Sequence, residues 1–316
     1  MEIIGKSSAI CQLRTLIRKV AATDVTVLIQ GESGTGKELV AMSIHAKSAR
    51  CKKEFMAINC GAIPESLMES MLFGYEKGAF SGARSGGQIG LLEKAEGGTV
   101  FLDEVGEMPA SLQAKVLRTL ERYKMRRVGG ISTIELNVRF IAASNKNLRE
   151  EVERGTFRRD LFFRLDVVPL IVPPLRNRKE DIPLLVNYFL DRFRQTYGNS
   201  YTVTSSLMNR LMEYDWPGNV RELRNFIEYG VIFCENNTLT MATLEPRFAS
   251  THSYGGMVLD LKKEATRNPD VIVLQKLLQR FGCNMTGKRA LAAHLGISLP
   301  TLYRRLRAAR LTGENI

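Results

Sequence analysis

The 316-residue sequence predicts an α/β protein with a separate all-α tail. Three observations carry that prediction. Short β-branched runs alternate with longer helical stretches as far as residue 172. A glycine-rich stretch joins the first run to a helix. The pattern then changes character at Pro173-Pro174 and again over 246–270. These breaks mark off an α/β subdomain over 1–174, a helical lid subdomain over 175–245, a linker over 246–270 and a helix-turn-helix module over 271–316.

The runs Val25–Ile29, Phe55–Ile58, Thr99–Leu102, Val138–Ala143 and Val167–Val172 read as five strands. They are apolar throughout and separated by helices, which predicts a five-stranded parallel sheet. From Arg178 to Leu244 the periodicity is helical with no strand signal. Pro246, Ser250, Ser253, Gly255-Gly256 and Pro269 give the next stretch the composition of a linker.

An apolar fraction of 44% suits an ordinary globular core. No apolar run reaches the roughly 18 residues of a membrane helix, and Met1–Lys6 lacks a signal-peptide pattern, so the chain reads as cytoplasmic with no membrane partner. Cysteines 11, 51, 60, 234 and 283 form no CxxC pair, which predicts reduced, mostly buried thiols. The net charge is +12, and the last 46 residues hold eight Lys/Arg against one Glu. That surplus points to a polyanionic partner, with a solvated charged helix as the plainer alternative.

Gly31-Glu32-Ser33-Gly34-Thr35-Gly36-Lys37 follows the first strand, and a helix opens at Glu38. This is the phosphate-binding loop G-x-x-x-x-G-K. Its glycines let backbone N–H groups face one concavity, the helix N-terminus adds positive potential, and Lys37 reaches the β- and γ-phosphates. Glu38 stands where Ser or Thr commonly meets Mg²⁺, leaving the metal to water and an acid elsewhere. Val100-Phe101-Leu102-Asp103-Glu104 ends a strand in two carboxylates. Asp103 would hold Mg²⁺ through water and Glu104 would polarise the attacking water; capping of the next helix is the alternative.

Together these features resemble AAA+ ATPases. In that family a polar residue ending a later strand senses the γ-phosphate, and Ala142-Ala143-Ser144-Asn145 fits, with Asn145 the candidate and Ser144 beside it. The resemblance becomes specific at Gly78-Ala79-Phe80-Ser81-Gly82-Ala83. This stretch is similar to the GAFTGA loop of bacterial enhancer-binding proteins, the AAA+ activators of sigma-54 RNA polymerase. Glu69–Lys77, Ile4-Gly5-Lys6-Ser7, Gly31–Glu38, Leu102–Met108, Arg127-Val128-Gly129-Gly130, Gly155–Leu165 and Trp216–Leu223 also resemble that family, in which Glu38 is usual.

The resemblance implies ATP with Mg²⁺ and a ring of identical subunits, hexameric in form. Ile4 and Gly5 would join the phosphate loop at the nucleotide. Phe80 would be the apolar contact to sigma-54, in a loop that rises and falls with the γ-phosphate, supported by a second loop near Arg126–Gly130. Ser81 replaces the family's Thr and loses a methyl group. Asn59 would hold Glu104 off until the partner engages; a strand-end Asn is the plainer reading. Arg158 and Arg164 would be fingers reaching a neighbour's ATP, with an intramolecular ion pair as the alternative. Arg221 would link nucleotide state to lid rotation, and Trp216 would pack. Relatives often carry an N-terminal receiver or sensing domain, for which this chain has no room; either a separate regulatory protein controls it or it is a fragment.

In the tail, Leu291 and Leu295 share a helix face, Gly296 suits a tight turn, Ser298 is an N-cap and Pro300 fits a first turn. Leu302 and Leu306 would be buried. Ser298, Thr301, Tyr303, Arg304 and Arg305 are the candidate DNA contacts of a recognition helix in the major groove of double-stranded DNA. The module resembles the Fis-type domain of these activators. The expectation is a sigma-54-dependent activator that hydrolyses ATP to remodel the polymerase holoenzyme from an upstream site. The alternative is a nucleotide-sensing DNA-binding regulator that does not engage sigma-54.

Overall fold

A computed structural model describes residues 3–79 and 86–252, together with Lys288, Leu291, Ala292, Leu302 and Leu306. Five strands form one parallel sheet: β1 (Val27–Gln30), β2 (Phe55–Asn59), β3 (Thr99–Asp103), β4 (Arg139–Ser144) and β5 (Val168–Ile171). They are the five expected strands, in the order β2-β3-β4-β1-β5. Their apolar character on both faces is used. Helices Ser8–Ala21 and Lys37–Ala46 cover one side through Ile10, Ile17, Val40 and Ile44. Helices Glu65–Phe73, Ala110–Arg122 and Arg159–Leu165 cover the other through Leu72, Val116 and Leu161. The strand order sets the C-terminal ends of β3, β4 and β1 side by side, where open α/β sheets bind ligands.

The lid is built from helices Ile182–Tyr197, Ser205–Glu213, Asn219–Phe233 and Met241–His252. Trp216 is fully buried at its centre and donates its indole N–H to the Leu211 carbonyl at 2.8 Å. Tyr214 and Phe226 meet it edge-on, and Phe248 packs on Phe226.

Three expectations need correction. The linker does not begin at 246, because the helix Met241–His252 runs through Pro246. Burial of Phe248 against the aromatic cluster outweighs the helix-breaking composition. The lid also contains a strand pair, Thr202–Val203 parallel to Thr238–Leu239, too short for any periodicity to reveal. Among the four described cysteines, Cys60 is buried and Cys234 half-buried, but Cys11 and Cys51 are exposed.

Residues 249–316 form a second compact unit. In it Leu291, Leu302 and Leu306 are helical and buried. The candidate DNA contacts Ser298, Thr301, Tyr303, Arg304 and Arg305 lie outside the described residues. No helix among the described residues is long and apolar enough to cross a membrane.

Candidate nucleotide site

The glycine loop leaves β1 at Gly31 and enters the helix at Lys37. Gly34 and Gly36 have φ of 77° and 102°, conformations that a side chain would strain. At Gly34 space is also lacking: a Cβ would stand 2.3 Å from the Gly218 carbonyl oxygen of the lid. Lys37 is buried, and its ammonium donates to the carbonyls of Gly31 at 2.8 Å and Glu32 at 3.1 Å. Burial pushes its pKa down, while Asp103 and Glu104 oppose that shift.

The lid closes on this loop through four residues. Arg221 donates its backbone N–H to the Gly34 carbonyl at 3.2 Å and its guanidinium to the Ser33 hydroxyl at 3.1 Å. Fully buried Asn219 donates its amide to Glu32 at 3.1 Å and to the Ser33 carbonyl at 3.0 Å, and accepts from Leu175 N–H at 2.8 Å. Arg176 pairs with Glu32 at 2.5 Å. That guanidinium, and after it the Asn219 amide, holds the Glu32 carboxyl down to about 2. Buried Arg178 adds a bond to the Thr35 carbonyl at 3.1 Å and leaves its Nε without a partner. Thr35 gives its hydroxyl to the Glu32 carbonyl.

Ile4 and Gly5 reach the same place from the N-terminus. Ile4 packs against the lid core. Buried Asp181 accepts from Lys6 N–H at 2.6 Å and from the Ser7 N–H and hydroxyl at 2.8 and 2.6 Å. A Cβ on Gly5 would strike that carboxylate at 2.7 Å.

Asp103 and Glu104 stand at the end of β3. Burial raises the Asp103 carboxyl, and Lys37 works against the rise. Glu104 has φ of 52°, and its carboxylate lies against Gly61, where a Cβ would come within 2.5 Å. Asn59 pairs with Asp103 in the sheet register. Its side-chain oxygen accepts from the N–H groups of Gly61 at 2.8 Å and Ala62 at 3.0 Å, so Asn59 and Glu104 flank one turn. Beside them the Cys60 thiol is pushed up to about 12 by burial first and then by Asp103, which makes it inert.

At the end of β4, Asn145 is exposed, whereas buried Ser144 accepts from the Gly31 N–H through its carbonyl at 3.3 Å and exchanges hydrogen bonds with Lys146. Glu38 is exposed on the first turn of its helix. The two arginines sit at or on helix Arg159–Leu165. Arg158 pairs with Asp160 at 2.7 Å, and Arg164 donates to the Leu120 carbonyl at 2.8 and 3.2 Å. Both have partners within the chain, and for Arg158 that partner is an intramolecular ion pair, whereas Arg164 bonds a backbone carbonyl.

Of the loop 78–83, Gly78 and Ala79 are described; Phe80, Ser81, Gly82 and Ala83 lie outside the described residues. Its root is the antiparallel pair Gly74–Tyr75 with Gln88–Ile89. The stretch 126–130 braces that root: Val128 N–H donates to Gly74 at 2.9 Å and Glu76 N–H donates to Val128 at 3.0 Å. Arg127 bridges Glu76 and Glu93.

Asn219 lies within the Trp216–Leu223 stretch but carries no role in the sequence reading, and Arg176, Arg178 and Asp181 are not singled out there. The one available signal was an Asn after Gly218, a residue that tolerates the left-handed φ of 55° it adopts.

The sigma-54 interaction domain matches residues 3–171, and the AAA+ ATPase lid domain matches 176–257. An uncharacterised protein from the HyuA 5′ region of Pseudomonas sp. strain NS671 is 43% identical, over 87% of this chain and 95% of its own. The signal-transduction and transcriptional-control protein of Clostridium beijerinckii is 50% identical, over 75% of this chain and 38% of its own length. The crystal structure of Brucella abortus NtrX in complex with ATP superposes with a TM-score of 0.73 at 34% identity, covering 98% of this chain and 70% of that one. The chain spans well under half of the Clostridium protein. With its phosphate loop, paired strand-end carboxylates and closing lid, the chain belongs to the sigma-54 interaction family of AAA+ ATPases.

Proposed function

We propose that this protein is a sigma-54-dependent transcriptional activator that couples ATP hydrolysis to remodelling of the polymerase holoenzyme. The observation that carries the reading is the Gly78–Ala83 loop rooted, with its brace at 126–130, in the ATPase domain of a sigma-54 interaction family member.

The chain's residues divide the work. Lys37 exchanges the Gly31 and Glu32 carbonyls for β- and γ-phosphate oxygens. Arg221 and the glycine loop orient the nucleotide, with Ile4 and Gly5 along its edge. Asn145 reads the γ-phosphate. Mg²⁺ suits the donor set: Asp103 offers one carboxylate at the end of its strand, and Mg²⁺ in such sites leans on water and phosphates for its other ligands. Asp103 would hold it through water, and the ion would supply positive charge to the phosphate oxygens. Glu104 polarises the attacking water once Asn59 and the Gly61 turn let it swing free.

Arg158 acts in trans in a hexameric ring. It can do so by giving up one half-exposed ion pair with Asp160, whereas Arg164 is committed to the Leu120 carbonyl and positions the helix. The C-terminal module, with buried Leu291, Leu302 and Leu306, places Arg304 and Arg305 on double-stranded DNA upstream of the promoter.

The test is a trapping assay. Purified protein is mixed with sigma-54 and ADP–aluminium fluoride and run on a native gel. A co-migrating complex that Phe80→Ala removes, while leaving ATP turnover intact, is the expected result. Clear ATP turnover with no complex would overturn the reading.

A further inference from the structure

A cleft of about 560 Å³ opens between the C-terminal half of helix Ala110–Arg122 and the hairpin that follows it. Six cations line it: Lys115, Arg118, Arg122, Lys124, Arg126 and Arg127. Its only lining carboxylate, Glu69, is neutralised by Lys115. Lys124 and Arg127 have carboxylate partners outside the lining. Arg118 and Arg122 have none among the described residues, and both are exposed.

A cation at a helix C-terminus is ordinary, because the helix end is partly negative. That accounts for Arg122 and leaves the convergence of the others unexplained. The floor narrows the class of ligand. Phe73 and Met125 are only 4% exposed each, so neither ring nor thioether opens into the cleft, and the charged side chains dominate its rim. An acidic peptide needs apolar pockets for its register, whereas a phosphate backbone does not. Arg118 and Arg122 are one helical turn apart, on one face, and guanidinium forks suit phosphate oxygens.

We propose that this cleft is a second DNA-contacting surface, one that holds backbone phosphates without reading bases. It goes beyond the activator reading and does not depend on sigma-54. Its wall includes Val128 and Gly129, and Gly129 abuts Ala79, so DNA seated there lies beside the root of the Gly78–Ala83 loop.

The test uses the full chain carrying Arg304→Ala and Arg305→Ala, which mutes the C-terminal module. Binding to a labelled duplex of random sequence is followed by anisotropy across a salt series. Adding Arg118→Ser and Arg122→Ser should weaken residual binding roughly tenfold at low salt and lower the salt slope by about two, one for each lost phosphate contact. ATP turnover should not change. Arg18→Ser with Lys19→Ser, an exposed pair elsewhere, controls for net charge and should do much less. Equal loss in the control, an unchanged slope, or displacement of duplex by poly-glutamate at matched charge would each overturn the proposal, the last in favour of an acidic peptide.

Discussion

Two glycine-rich loops leave the same domain, and they use their glycines in opposite ways. In the phosphate loop glycine is demanded by neighbours: a Cβ on Gly31 would meet the Val172 carbonyl at 2.7 Å, and one on Gly34 would meet the lid at 2.3 Å. In the Gly78–Ala83 loop, Gly78 has φ of 76°, yet a Cβ there would meet nothing within 4 Å. The first loop is fixed from outside, by Asn219, Arg221, Arg176 and Arg178. Of the second, the described root is fixed by the 126–130 stretch, through Val128 on Gly74 and Glu76. Similar composition therefore meets close packing at Gly31 and Gly34 and open space at Gly78.

The sharpest way to break this comparison is a matched substitution. Gly34→Ala should weaken nucleotide binding at least about tenfold, since it adds left-handed strain of roughly 1–2 kcal/mol to a clash with lid backbone. Gly78→Ala should cost roughly the strain alone, about 1 kcal/mol, and leave ATP affinity unchanged. Nucleotide titration and thermal melting of both variants check the pair; equal losses of affinity would end the distinction.

A smaller effect is expected at Asn219. Asn219→Asp keeps size and left-handed tolerance but turns a carboxylate toward Glu32 and the Ser33 carbonyl. The lost bonds should raise KM for ATP by about 1–3 kcal/mol equivalent with a lesser change in kcat. Adding Glu32→Gln restores a donor opposite the new acceptor and should recover part of that loss. Simple additivity of the two changes would show that the contact is not the route.

The smallest effect is in acid. Glu32 has its pKa held from an ordinary 4.5 down to about 2 by Arg176 and Asn219. A depressed carboxylate contributes fully above its unfolded pKa and loses its contribution as pH falls through the folded one. The Glu32 tie to the lid should therefore weaken between pH 4.5 and about 2. Trp216, the sole tryptophan, reports on the lid by fluorescence. Glu32→Gln should flatten that part of its acid titration; an unchanged curve would place the transition elsewhere. The side chain is 41% exposed, so solvent screening keeps the effect modest.

What the sequence revealed follows from range. The five strands, the phosphate loop and Asp103-Glu104 are local patterns, each written within a dozen residues, and the sheet contains them as expected. The lid contacts are not local. Asn219 meets Glu32 across 187 residues, and Asp181 meets Ser7 across 174. No periodicity encodes such pairs. The helix through Pro246 failed for a related reason, since local composition argues against it and the distant aromatic cluster decides. Arg158 and Arg164 were legible as positions, but their partners Asp160 and Leu120 needed coordinates.

The same long reach has a consequence for biosynthesis. The N-terminal strap at Lys6 and Ser7 is tied by Asp181, so it leaves the ribosome long before its anchor exists. At about 5–20 residues per second the wait is roughly 10–35 s. The phosphate loop waits similarly for Asn219 and Arg221. A nascent chain can thus lay down its sheet early, yet its nucleotide pocket gains all its walls only once Asn219 and Arg221 have been made.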